Sequence, residues 1–197
     1  MRILPTVLTE DPADLKKKLQ QAASFTDWVQ VDIMDGQFVP SRSIGAADVA
    51  AVPPGLLMEV HLMVLQPEAQ MQAFQQAGAR KIIFHYEATS APEEAIRRAR
   101  ALGLEVGLAL NPETPLLSTR GLWDKIDSIL LLSVNPGFYG KEFLPEVLDK
   151  ARQLRSLAPN LQIGMDGGLK ANNLLVVKAP VRASTRWTFT SLLLPPS

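Results

Sequence analysis

Short apolar runs alternate with longer amphipathic, charged stretches along most of the chain, and that alternation restricts the folds open to it. Strands are expected at Ile3–Leu8, Trp28–Met34, Leu57–Val64, Lys81–His85, Glu105–Asn111, Ser128–Val134 and Leu161–Asp166. Helices are expected at Pro12–Ser24, with Asp11 as N-cap, and at Pro67–Ala77, Pro92–Leu102 and Pro145–Leu157. Proline in the first turn is tolerated because its missing N–H has no intrahelical partner there. Gly78, Gly103 and Gly168 fall in connections, where caps and turns require a positive φ. Strand–helix units of roughly 25 residues point to a parallel α/β protein, and above all to a (β/α)8 barrel. A doubly wound open sheet is disfavoured, because no Gly-x-Gly-x-x-Gly follows the first strand.

The whole chain, 1–197, is expected to form a single barrel domain with an atypical end over 170–197. After Asn172 the pattern fails: Pro180 stops any helix, and the tail carries no glycine, no acidic residue and no helical period. Thr188–Leu194 has strand propensity. The eighth unit should therefore be incomplete or irregular, with an unpaired edge between strands seven and one. With 197 residues the chain sits at the short limit for this architecture, which takes about 200–250.

Twenty basic and twenty acidic residues cancel, so charge gives no reason to expect nucleic acid or an anionic membrane as partner. The absence of cysteine excludes disulfides and thiolate metal sites. No apolar stretch approaches the ~20 residues of a membrane helix, and a cytoplasmic location is the expectation.

Three polar residues stand where a barrel strand should be apolar. Period-2 alternation puts Gln30, Asp32 and Met34 on one face of the second strand. His61 shares a face with Glu59 and Met63, and Asp166 shares one with Gly164 before running into Gly167-Gly168. A strand buried on both faces cannot hold a carboxylate without a partner. Taken singly, a strand-end Asp caps the next turn and a lone His is a hydrogen-bonded core residue. Taken together, all three fall at C-terminal strand ends, the catalytic rim of this fold. Strands two and seven are three steps apart around the ring, so Asp32 and Asp166 can face each other, with His61 completing a site for one divalent cation. Two opposed carboxylates suit inversion of a carbon next to a carbonyl: one removes a proton and the other returns one to the opposite face. Met34 and Met63 offer a polarizable floor or mere filling.

The residues also carry a resemblance. Val31-Asp32-Ile33-Met34-Asp35-Gly36 with Phe38-Val39-Pro40, Val60-His61-Leu62-Met63-Val64 and Phe84-His85-Tyr86-Glu87-Ala88 resemble motifs of the ribulose-phosphate 3-epimerases. So do Leu108–Pro115, Ser133–Gly140 and Met165-Asp166-Gly167-Gly168, in order over about residues 1–170. The resemblance implies a homo-oligomeric TIM barrel acting on a small sugar phosphate, interconverting D-ribulose 5-phosphate and D-xylulose 5-phosphate. It implies Asp32 and Asp166 as the acid/base pair and, with His61, as ligands of one divalent ion (Zn, Fe, Mn, Co or Mg). Thr6, Met34 and Met63, the loop Gly137-Phe138-Tyr139-Gly140, and the Gly167-Gly168 turn would line the substrate site. Three positions depart from the family: Gln30 replaces a histidine ligand, Tyr139 replaces a glycine, and the Gly-Ser phosphate turn after strand eight is missing. A non-catalytic sugar-phosphate-binding barrel is the alternative. The hexulose-phosphate synthase type is disfavoured, since its Asp-x-Lys-x-x-Asp pattern would need lysine where Met34 stands.

Overall fold

Seven apolar runs become seven parallel strands: β1 (Arg2–Val7), β2 (Trp28–Met34), β3 (Leu57–Met63), β4 (Ala79–His85), β5 (Glu105–Leu110), β6 (Ser128–Leu132) and β7 (Gln162–Asp166). The computed structural model describes residues 2–52, 55–135, 142–168 and 187–193. An eighth strand, β8 (Trp187–Leu193), pairs in parallel with both β7 and β1 and closes the ring. The expected open edge is thus corrected. Trp187-Thr188-Phe189-Thr190 is rich in β-branched and aromatic residues, and two flanking strands with unpaired backbone groups fix its register. Irregularity of the eighth unit is visible as a register shift against β1 between Leu4 and Pro5.

Helices cover the outside: α1 (Pro12–Ala23), α2 (Ala46–Ala50), α3 (Met71–Gln76), α4 (Pro92–Ala101) and α5 (Val147–Leu157). Asp11 caps α1, its carboxylate accepting from the Ala13 N–H at 2.8 Å. The segment expected as one helix over 67–77 is split into a 3-10 turn, Pro67–Ala69, and α3. A 3-10 stretch, Leu116–Leu122, takes the place of a helix between β5 and β6.

The two faces of each strand have separate tasks. Val29, Val31 and Ile33 of β2 join Leu15 and Leu19 of α1 and Val60, Leu62, Ile82 and Phe84 in the core between sheet and helices. Inside the ring, Ile83, Ala109, Leu130 and Leu132 form a smaller cluster. A Cβ on Gly164 would lie 2.7 Å from Leu130 Cδ1, so any larger residue there would displace that side chain. In barrels of this type side chains fill the interior and the C-terminal strand ends form the functional rim. Among the described residues no helix is long and apolar enough to cross a membrane.

Candidate active site

Parallel pairing without slippage from Trp28↔Leu57 to Met34↔Met63 sets Asp32 beside His61 on neighbouring strands. Thr6 lies beside Gln30 in the β1–β2 register. From β7, Asp166 reaches the same point, held by Ser133, whose N–H donates to the Asp166 carbonyl at 2.7 Å and whose hydroxyl donates to the Gly167 carbonyl at 2.6 Å. Gly167 turns the chain there with φ +99°, and a Cβ would collide with Val134. Gly168 follows with φ +65°.

The side chains converge. One ligand atom each from Asp32, His61 and Asp166 lie within 4.8 Å of one another, all three residues buried. His61 Nδ1 is 3.3 Å from Asp32 Oδ1 and 3.6 Å from Asp166 Oδ2, yet neither approach has hydrogen-bond geometry, and the atom is buried without a partner. Gln30 also joins the cluster, through its amide nitrogen: Nε2 donates to Asp32 Oδ1 at 2.8 Å and to Asp166 Oδ2 at 3.3 Å. Its Oε1 and the Thr6 hydroxyl are buried with no partner. Met34 and Met63 pack with Leu8, Val39 and Phe38 in an apolar group beside the cluster. The loop Gly137–Gly140 lies outside the described residues.

The electrostatics are those of a site short of positive charge. Burial raises the Asp32 carboxyl above its ordinary value, the charge of Asp166 adds to this, and His61 and Gln30 only partly oppose it. Burial alone would push His61 down, but Asp166 and Asp32 reverse that and hold the ring at about 9. Two carboxylates and one imidazole thus attract a positive charge at one point. Borderline divalent ions accept such a mixed oxygen and nitrogen set, and His61 Nδ1 lies between the two carboxylates, at 3.3 Å from Asp32 and 3.6 Å from Asp166.

Behind the cluster is a second row that the sequence showed only as part of a motif. His61 Nε2 meets His85 Nε2 at 3.0 Å, and His85 Nδ1 meets Glu87 Oε2 at 3.3 Å. Burial lowers His85 to about 4, so the ring is neutral despite Glu87. Burial would raise Glu87, but hydrogen bonds from His85, Thr114 and the Asn111 N–H outweigh it and keep the carboxyl below its usual value. A His two residues before a Glu at a strand end was the available signal; only the fold shows that both stand behind His61. Asp35, by contrast, is the capping carboxylate: it accepts from the Gln37 and Phe38 N–H groups at 2.8 and 2.9 Å and from Leu65 N–H at 2.9 Å.

Residues 2–183 match the model of the ribulose-phosphate 3 epimerase family. The ribulose-phosphate 3-epimerase of Schizosaccharomyces pombe is 40% identical over 174 residues, covering 85% of this chain and 76% of that protein. The enzyme of the same name from Bacillus subtilis is 35% identical over 188 residues, covering 91% and 87%. Among solved structures, a 3-hexulose-6-phosphate synthase superposes with a TM-score of 0.71 at 14% identity, covering 97% of this chain and 89% of that one. The tryptophan synthase α-subunit of Pyrococcus furiosus gives 0.71 at 13%, covering 96% and 86%. Those two likenesses concern the barrel fold alone. By its sequence match over nearly its whole length, this chain belongs to the ribulose-phosphate 3-epimerase family.

Proposed function

We propose that the protein epimerises a ketose phosphate at C3, interconverting D-ribulose 5-phosphate and D-xylulose 5-phosphate. The observation that carries the reading is the buried, charge-unbalanced triad of Asp32, His61 and Asp166 at the C-terminal ends of three strands. Asp32 and Asp166 come from β2 and β7, and a substrate carbon between them presents one face to each. One carboxylate takes the C3 proton, and the other, protonated, delivers a proton to the opposite face. Burial, which raises Asp32, moves it toward the range where a carboxyl can do either.

Asp32, Asp166 and His61 through Nδ1 would hold one divalent cation, which supplies positive charge to the substrate oxygens as negative charge develops there. Thr6 and Gln30, each with a buried unsatisfied oxygen, are the remaining polar groups for substrate or cation. Met34 and Met63 keep water from the reacting carbon. Gly167 and Gly168, with the loop Gly137-Phe138-Tyr139-Gly140, would receive the phosphate.

The test is turnover of D-ribulose 5-phosphate in D2O, with and without a divalent cation. The expected result is xylulose 5-phosphate carrying deuterium at C3, lost in Asp32→Asn and in Asp166→Asn. Product without C3 deuterium, or no product with any cation, would overturn the reading. A non-catalytic sugar-phosphate-binding barrel is the second reading, favoured by Gln30, which turns its N–H rather than its oxygen to the carboxylates.

A further inference from the structure

Every ring nitrogen of the two histidines has a neighbour in one line, and the line has a fixed direction. It begins at Glu87, whose Oε1 accepts from the Asn111 N–H at 2.9 Å and from the Thr114 hydroxyl. The turn that presents these donors is clamped from α5: Lys150 Nζ donates to the carbonyls of Asn111, Pro112 and Thr114 at 3.2, 2.7 and 2.7 Å. Glu87 is thereby a fixed acceptor, with Oε2 toward His85 Nδ1 at 3.3 Å.

A carboxylate only accepts, so His85 Nδ1 must carry the hydrogen. Of two facing ring nitrogens only one can carry the shared hydrogen, and His61 makes no hydrogen bond through Nδ1, so His85 Nε2 is the bare, accepting atom. Its neighbour at 3.0 Å, His61 Nε2, must then donate. That leaves His61 Nδ1 as the nitrogen facing Asp32 and Asp166 at 3.3 and 3.6 Å. We infer that Glu87 and His85 are positioning residues whose hydrogen-bond relay fixes the ring orientation of His61 and keeps a hydrogen on its Nε2, leaving Nδ1 as the ligand atom. The relay is a property of the protein alone; its consequence for metal affinity rests on the cation site proposed above. Outer partners of this kind commonly change metal affinity by about 10–100-fold.

The chain has only two histidines, so a long-range proton–nitrogen NMR spectrum of the nitrogen-15-labelled protein shows four ring nitrogens and no others. In the metal-free wild type, His85 should carry its proton on Nδ1 with Nε2 bare. Adding zinc alone should shift His61 Nδ1. Glu87→Gln keeps the side-chain shape. Its oxygen would stay with Asn111 and Thr114, and its amide N–H would point at His85 Nδ1. The His85 proton should then move to Nε2, and zinc affinity by calorimetry should fall about 10–100-fold with the melting transition retained. A wild-type His85 protonated on Nε2 would overturn the inference. So would a Glu87→Gln protein with unchanged ring protonation or unchanged zinc affinity. If Glu87→Gln does not fold, the wild-type spectrum decides by itself. A wild type that binds no zinc would end the cation reading, while the His85 tautomer would still be read without metal.

Discussion

Two groups of buried charges sit one layer apart and share β3, and they are built on opposite plans. Toward the N-terminal ends, Glu59 and Lys81 are register partners on β3 and β4, 3.2 Å apart, each side chain 4% exposed. Two residues further along β3, His61 joins Asp32 and Asp166. The lower pair is neutral as a unit: one cation meets one anion. The upper group sets two carboxylates against one imidazole. A buried charge that finds its complement within the fold is structural, whereas one left without it has its complement in a ligand.

The largest effect expected is on catalysis. Asp32→Asn and Asp166→Asn should each lower epimerase turnover by about 10²–10⁴-fold, the usual worth of a positioned acid or base. The near-isosteric change should leave the melting temperature close to wild type. Retention of more than a tenth of the activity would remove that residue from the proton-transfer role.

In the lower pair the same kind of change should act on stability instead. Lys81→Met strands the Glu59 carboxylate and should cost about 3–5 kcal/mol in denaturant unfolding. Glu59→Leu with Lys81→Met together should be near neutral by the same reasoning. A double variant as unstable as the single one would show that the pair has a role beyond mutual neutralisation.

A smaller effect separates the two groups by pH. His61 is held at about 9 when folded, against an ordinary value near 6.5, so its protonation stabilises the metal-free fold. That contribution is complete below about pH 6.5 and is lost as pH rises through about 9, amounting to at most about 3 kcal/mol. Saturating divalent cation should abolish the loss, because the cation takes the place of the proton. Urea unfolding at several pH values, with and without cation, measures both.

The smallest effect concerns Gln30. Gln30→His should raise zinc affinity by roughly 10–100-fold if the position reaches the cation. Against zinc, the native protein should show a relative preference for harder ions such as magnesium or manganese. Equal zinc affinity in both proteins would mean that Gln30 serves only to bridge Asp32 and Asp166 as an N–H donor.

Much of this was legible in the sequence because it follows from local rules. The bounds of β2 match its apolar run, and Asp11 caps α1 as its position before Pro12 requires. Asp32, His61 and Asp166 were visible because buried strands do not tolerate isolated polar groups. What escaped depends on contacts distant in sequence. The eighth strand has ordinary strand propensity, but its pairing is enforced by β7 and β1, which no local pattern displays. The Glu87–His85 line needs two strands and the turn after β5 to meet. The five-residue α2, Ala46–Ala50, is too short to show a helical period.

The contrast between the two buried groups is tested most directly by calorimetric titration of a divalent cation into the purified protein. The account predicts one ion bound per chain, binding lost in Asp166→Asn, and binding unchanged in the Glu59→Leu, Lys81→Met double variant. Undiminished binding in Asp166→Asn, or binding lost only when the lower pair is removed, would contradict it.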